Sequence, residues 1–242
     1  RAGQCGILTQ APPYPVRGRS AVVPSVMAEA HSLVVTAADG FPLAATLWLP
    51  ETATPPTRVV VVNAGAGIPA RYYDRFAAWL ADRGLPTLTY DYRGIGRSRP
   101  ARLRGFEATV EMWGSKDCAA MLDAMVARFP SARLAVLGHS IGGFVTGLAP
   151  GGERVDRLAL VGTHTGYWRD YAPRVRLPMY FAWHLAMPAV TRALGYFPGR
   201  RFGLPEDLPA GVARDWARRR RPDPWWYLKR DDGSPDEARI AD

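Results

Sequence analysis

Short, wholly apolar runs alternate with longer amphipathic stretches along most of this chain. Arg58-Val59-Val60-Val61-Val62 is apolar on both alternations, as a strand buried on two faces must be. Arg133 to Leu137 and Arg157 to Val161 repeat that pattern, and Leu85 to Tyr90 is a fourth run. Between them, residues 72–83 place Tyr72, Phe76, Trp79 and Leu80 on one helical stripe that should face the core, with Gly84 as the stop. Residues 114–129 do the same with Cys118, Leu122, Met125, Val126 and Phe129, ended by Pro130. Ahead of these, His31 to Thr36 and Phe41 to Leu49 alternate like half-buried strands. Asp39-Gly40 between them predicts a hairpin. Strands alternating with helices predict an α/β fold, a doubly wound and mostly parallel sheet with ligands at the strand C-terminal ends.

The pattern divides the chain into four parts. Residues 1–30 are proline-punctuated and aperiodic, a loose N-terminal arm, and residues 31–163 form the α/β core. Residues 164–228 crowd Tyr167, Trp168, Tyr171, Tyr180, Phe181, Trp183, Trp216, Trp225, Trp226 and Tyr227 into a helical stretch. This predicts a helical cap over the sheet edge, its aromatics covering an apolar pocket, since long insertions in compact domains commonly serve as lids. Residues 229–242 are a polar tail.

Composition adds little to this layout. At 48% hydrophobic and 22% charged, the 242 residues suit one large globular domain. The net charge of +9 is almost all arginine, Lys116 and Lys229 being the only lysines. It reads as a coding bias spread over the surface; Arg218 to Arg221 is the one dense run, and a solvated helix face explains it better than a nucleic-acid site. Cys5 and Cys118 are too few for a disulfide framework and lack metal-ligand spacing, which points to a cytoplasmic, metal-free protein. No run of about 18 uncharged apolar residues offers a membrane span.

The chemistry concentrates in Gly138-His139-Ser140-Ile141-Gly142-Gly143, which lies between a predicted strand and the short helix of residues 143–149. Strand, Gly-x-Ser-x-Gly, helix is the context of a nucleophile elbow, where Ser140 sits on a strained turn with its hydroxyl projecting above the sheet. The N–H of Ile141, at the helix N-terminus, then begins an oxyanion hole. A rival reading uses another loop. Gly65-x-Gly67-x-x-Ala70 follows a strand, precedes a helix, and is followed by Asp91 at the end of the next strand, which approximates a dinucleotide fingerprint. Pro69 counts against that oxidoreductase reading, because it removes a loop N–H.

Three loops together resemble the α/β-hydrolase superfamily, in particular its lipase- and serine-aminopeptidase-like branch with a helical cap. They are the elbow, Asn63-Ala64-Gly65-Ala66-Gly67 after the third strand, and Asp91-Tyr92-Arg93-Gly94-Ile95-Gly96-Arg97-Ser98 after the fourth. The resemblance spans about residues 31–228. It implies a serine hydrolase needing no cofactor and acting on a small-molecule ester or amide, with Ser140 as nucleophile and the amides of Ile141 and Gly65 as oxyanion donors. Asn63 and Ala64 replace the branch's usual His-Gly. Asp91 and Arg93 are implied to tie their loop.

A serine hydroxyl is a weak nucleophile without a base and an acid that orients the base. Past Ser140 only His164 and His184 remain, His184 reading as a packing residue of the cap and His164 as following the sixth strand. His139 should point away from the nucleophile. No apolar strand follows Trp226 to carry an acid, so no triad acid or histidine is assigned. The expectation is a sheet without its last strands and a parent gene continuing for roughly 60–80 residues. A non-catalytic pseudo-hydrolase is the third reading.

Overall fold

The computed structural model describes residues 28–51, 54–164 and 166–218. The loose arm up to residue 27, the polar tail, Cys5, Trp225, Trp226 and Tyr227 lie outside them. The core is a six-stranded sheet in the order β1-β2-β4-β3-β5-β6. Strands β1 (Glu29–Thr36) and β2 (Pro42–Leu49) form the expected hairpin, and β2 runs antiparallel to β4 (Thr87–Tyr90). From β4 onward the sheet is parallel, through β3 (Arg58–Asn63), β5 (Arg133–His139) and β6 (Val155–Val161). The predicted doubly wound, mostly parallel sheet is therefore the one that forms.

Two expectations about faces fail. Helix α1 (Asp74–Ala81) turns Ala77 and Ala81 inward, while Tyr72, Phe76 and Trp79 are exposed. Small residues let the helix lie close to the sheet, so its aromatic stripe is left outside. Phe76 stacks on Trp79, and the Arg83 and Arg71 guanidinium groups lie over Trp79 and Tyr72. Helical period alone could not choose between two apolar faces. Strand β6, expected to be buried, has one hydrogen-bonded neighbour among the described residues. Leu158, Leu160 and Val161 are each about half exposed.

The second helical segment is not continuous α-helix. A short α2 (Val110–Met112) widens into a π turn over Trp113–Cys118 and then resumes as α3 (Ala119–Arg128). A side chain at Gly114 would collide with Leu148, so the glycine permits this close approach. The turn carries Trp113, Asp117 and Cys118 into the core. Trp113 stacks on Tyr92 with centroids 4.6 Å apart, and its Nε1–H donates to the Arg93 carbonyl.

Arg93 is 2% exposed and tied to two carboxylates. Its Nε–H and main-chain N–H donate to Asp117 at 2.6 and 2.9 Å, and its two terminal nitrogens donate to Asp39 in the β1–β2 turn. This joins the hairpin tip, the loop after β4 and the π turn. The guanidinium holds the Asp39 carboxyl well below the usual carboxylate range, whereas burial pushes Asp117 upward against the pull of Arg93. Replacing Arg93 by Ala leaves a buried, uncompensated carboxylate, and should cost about 3–5 kcal/mol in chemical denaturation. Because the Asp39 pKa is depressed in the folded state, its contribution is present above the unfolded value and lost as pH falls. The stability difference between wild type and Asp39→Asn should accordingly be full at pH 7 and shrink below about pH 4. Urea midpoints at the two pH values measure it.

Candidate functional site

Ser140 follows directly on β5 and stands at φ 53°, a left-handed conformation found at no other non-glycine residue among those described. Side chains pay for that conformation with strain of order 1–3 kcal/mol, and it persists only where the surroundings impose it. Here the imposition is visible. Helix α4 (Gly142–Gly147) begins so close to the end of β3 that a side chain at Gly142 would collide with the Asn63 carbonyl oxygen. One at Gly138 would lie 2.7 Å from the Gly143 backbone. The Ser140 N–H donates to Val161 O at 2.8 Å, anchoring the turn to β6. Ile141 is the N-cap of α4, a position whose neighbouring amides have no intrahelical partner. Gly138 pairs with Asn63 in the sheet, so the elbow and the loop after β3 leave the same edge side by side.

Beneath them lies a buried polar network centred on Asn63, which is fully buried. Its Nδ2 donates to Thr146 Oγ1 at 2.9 Å and to Cys118 Sγ, and its Oδ1 accepts from the Tyr90 hydroxyl at 2.7 Å. Thr146 passes its own proton to the Gly142 carbonyl. One amide side chain thereby fixes α4 relative to β3, β4 and the π turn. Asn63 stands where the resembled branch has histidine, and its role here is structural. Burial also pushes the Cys118 thiol up to about 11, so this cysteine is an inert packing group.

Gly65 is the second oxyanion donor expected by position. Its N–H donates to the Tyr73 hydroxyl at 3.0 Å, and is therefore occupied. The Tyr73 oxygen lies 2.7 Å from His139 Nδ1. The hydroxyl thus bridges Gly65 and His139, and which member of the Tyr73–His139 pair donates is set by the His139 tautomer. Burial raises the Tyr73 pKa and keeps the phenol protonated for this bond. Gly65 O accepts from Ile68 N–H across a turn with Gly67 at φ 68°. Ala66, half-buried at that turn, carries the next amide along the loop. Tyr73 was missed in the sequence because it adjoins Tyr72, which the period placed inside.

Asp91 does not serve a ribose. Its carboxylate accepts from the Ala70 N–H at 2.7 Å and the Arg97 N–H at 3.0 Å, and it is 3% exposed. With Asp91 consumed by its own loops and Gly65 by Tyr73, the dinucleotide reading loses its acid and one of its amides.

A family model for the serine aminopeptidases of the S33 type matches residues 54–221. The chain belongs to that family. Its fold is shared with a hypothetical protein from Pseudomonas aeruginosa, at 19% identity and a TM-score of 0.50, over 71% of this chain and 57% of that one. A thermostable carboxyl esterase from Bacillus coagulans matches at 20% identity and 0.48, covering 64% and 52%. An α/β hydrolase from Novosphingobium aromaticivorans matches at 22% and 0.43, covering 69% and 57%. The chain spans just over half the length of each of these three.

In this S33-family chain the described segment after β6 is mainly helical. It contains α5 (Pro173–Phe181), a π turn at Ala182–Ala186, α6 (Met187–Leu194) and α7 (Ala210–Ala217). An unforeseen antiparallel pair, β7 (Tyr196–Phe197) and β8 (Leu208–Pro209), interrupts them. This pair sits over the functional loops. A side chain at Gly67 would meet Leu208 at 3.2 Å, one at Gly94 would meet Pro209 at 2.5 Å, and Arg99 bridges to Glu206 and Asp207.

The S33-family chain brings no base to Ser140 among the described residues. His184 is buried, and its Nδ1 donates to Ala217 O at 2.7 Å, as a packing histidine. Exposed His164 accepts from the Gly166 N–H and packs edge-on against Tyr171. His139 is turned to Tyr73. Two measurements probe this geometry without requiring turnover. Ser140→Gly relieves the left-handed strain, and should be about 1 kcal/mol more stable than Ser140→Ala in urea. Tyr73→Phe leaves the buried Gly65 N–H unpaired, and should destabilise by about 1–3 kcal/mol.

Proposed function

We propose that this chain carries the acyl-transfer site of a serine hydrolase whose substrate is a small-molecule ester or amide. The observation that carries the reading is the strained, left-handed Ser140 at a strand-to-helix reversal, in a chain of the S33 family. In the proposed reaction Ser140 Oγ attacks the acyl carbonyl carbon and loses its proton to a base. The tetrahedral intermediate collapses, expelling a protonated alcohol or amine, and water then releases the acid from the acyl-enzyme. The oxyanion is held by the Ile141 amide together with the loop after β3. With Gly65 bonded to Tyr73, the Ala66 amide is assigned the second donation, and the Tyr73–Gly65 bond fixes the loop that presents it. The segment from residue 164 is the cap. Its β7–β8 pair leans on Gly67, so cap and oxyanion loop are mechanically joined.

A second reading, a hydrolase-like protein that binds without turnover, is favoured by one observation: among the described residues no histidine side chain hydrogen-bonds Ser140. The two readings part on a single reagent. A fluorophosphonate should label the wild-type chain slowly at Ser140 and leave Ser140→Ala unlabelled; absence of labelling on prolonged exposure defeats the hydrolase reading. Ester turnover by the 242-residue chain is expected to be slow. Oxyanion hole and binding alone supply on the order of 10³–10⁴ over water in a serine protease stripped of its triad. Robust Ser140-dependent turnover would show that a base reaches it from outside the described residues.

A further inference from the structure

The geometry points to a second binding site, for an organic carboxylate with an apolar body, in the cavity between α6, α7 and the loop of residues 105–107. The cavity has a volume of about 560 Å³, within the usual range for small-molecule sites. Ser140, Ile141, Gly65 and Ala66 do not line it, so it does not depend on the acyl-transfer reading.

Four features converge there. Arg192 on α6 and Arg214 on α7 both line the cavity, and neither makes an ion pair among the described residues. Thr191 is 3% exposed and lines the same cavity, yet its Oγ1 has no hydrogen-bond partner. A buried hydroxyl without a partner costs about 1–3 kcal/mol, which a ligand acceptor would recover on a χ1 turn that brings the closed-off oxygen to the cavity. Ala210, the first residue of α7, also lines the cavity. The cap residue of that helix is Pro209, which offers no side-chain acceptor, so the positive end of α7 is left to a ligand. Phe106 and Pro188 supply the apolar wall.

The opposing charges do not reverse this balance. Glu107 is the one acid lining the cavity, exposed and on the loop side. The C-terminal carbonyls of α6 would repel an anion, but Arg104 occupies them, donating to Leu194 O at 2.9 Å and Ala193 O at 3.3 Å. Two free guanidinium groups, a hydroxyl donor and a helix N-terminus against one carboxylate favour a planar carboxylate, which arginine binds through two parallel hydrogen bonds.

The test uses 2-naphthoate and its uncharged analogue 2-naphthamide, titrated into the full chain by calorimetry. Naphthoate should bind saturably at one site, at least tenfold tighter than the amide. Arg192→Gln with Arg214→Gln, both at exposed positions, should reduce that preference to below about twofold. Thr191→Val keeps the side chain's shape, removes the unpaired hydroxyl, and should weaken naphthoate severalfold without lowering the melting temperature. Should Thr191→Val fail to fold, the arginine pair still decides. No saturable binding, equal binding of acid and amide, or a preference untouched by losing both arginines would each overturn the site.

Discussion

Backbone-on-backbone contact at the elbow is the constraint from which the rest of the structure follows. Helix α4 can start where it does only if Gly142 lets its backbone touch the Asn63 carbonyl, and only if the chain reverses in the space of Ser140. That reversal forces a residue with a Cβ into the left-handed region. Strain of this kind has to be held by its surroundings, and three holds are visible: the Ser140 N–H on β6, the Asn63–Thr146 bond, and the Thr146–Gly142 bond. The serine is half-buried at the end of β5, and its backbone is not free to relax.

The remaining loops are held by buried polar groups rather than by apolar packing, and each group serves two loops at once. Asp91 receives the amide of Ala70 and that of Arg97, Tyr73 joins Gly65 to His139, and Arg93 joins the hairpin tip to the π turn. A fully satisfied buried network is directional, so it specifies one loop geometry where hydrophobic contact would tolerate several. It also explains why so many of these residues sit immediately past strand C-termini. There the sheet's own hydrogen bonds end and side chains must complete the accounting.

What could be read from the sequence was local in origin. The elbow needs only its own six residues and two flanks, and the Asp39-Gly40 hairpin only its turn. The parallel core follows from apolar runs such as Val59 to Val62. What could not be read required a partner distant in the chain. Tyr72 and Tyr73 are indistinguishable by composition, and only the position of Gly65 and His139 decides that Tyr73 turns inward. The period of α1 marks two apolar faces, and the narrow gap to the sheet selects alanines over aromatics. Strand β6 has the composition of a buried strand, but burial depends on neighbours that composition does not supply. Gly65 is an oxyanion donor by position, but its N–H is bonded to a phenol eight residues on.

The excess of arginine, which composition alone presents as a coding bias, takes on distinct physical roles in the fold. Arg93 uses its Nε, both terminal nitrogens and its backbone amide on two carboxylates at once, a fork geometry that a lysine ammonium cannot reproduce. Arg71 and Arg83 lie over exposed aromatic rings, screening apolar surface that is left outside the core. Arg99 and Arg200 converge on buried Glu206, pinning the β7–β8 pair over the functional loops. Arg192 and Arg214 have neither a carboxylate nor a ring of the described chain to answer them, and they share one cavity. Two guanidinium groups left open on one apolar cavity are the positions where, on the proposed reading, the missing counter-charge belongs to a ligand.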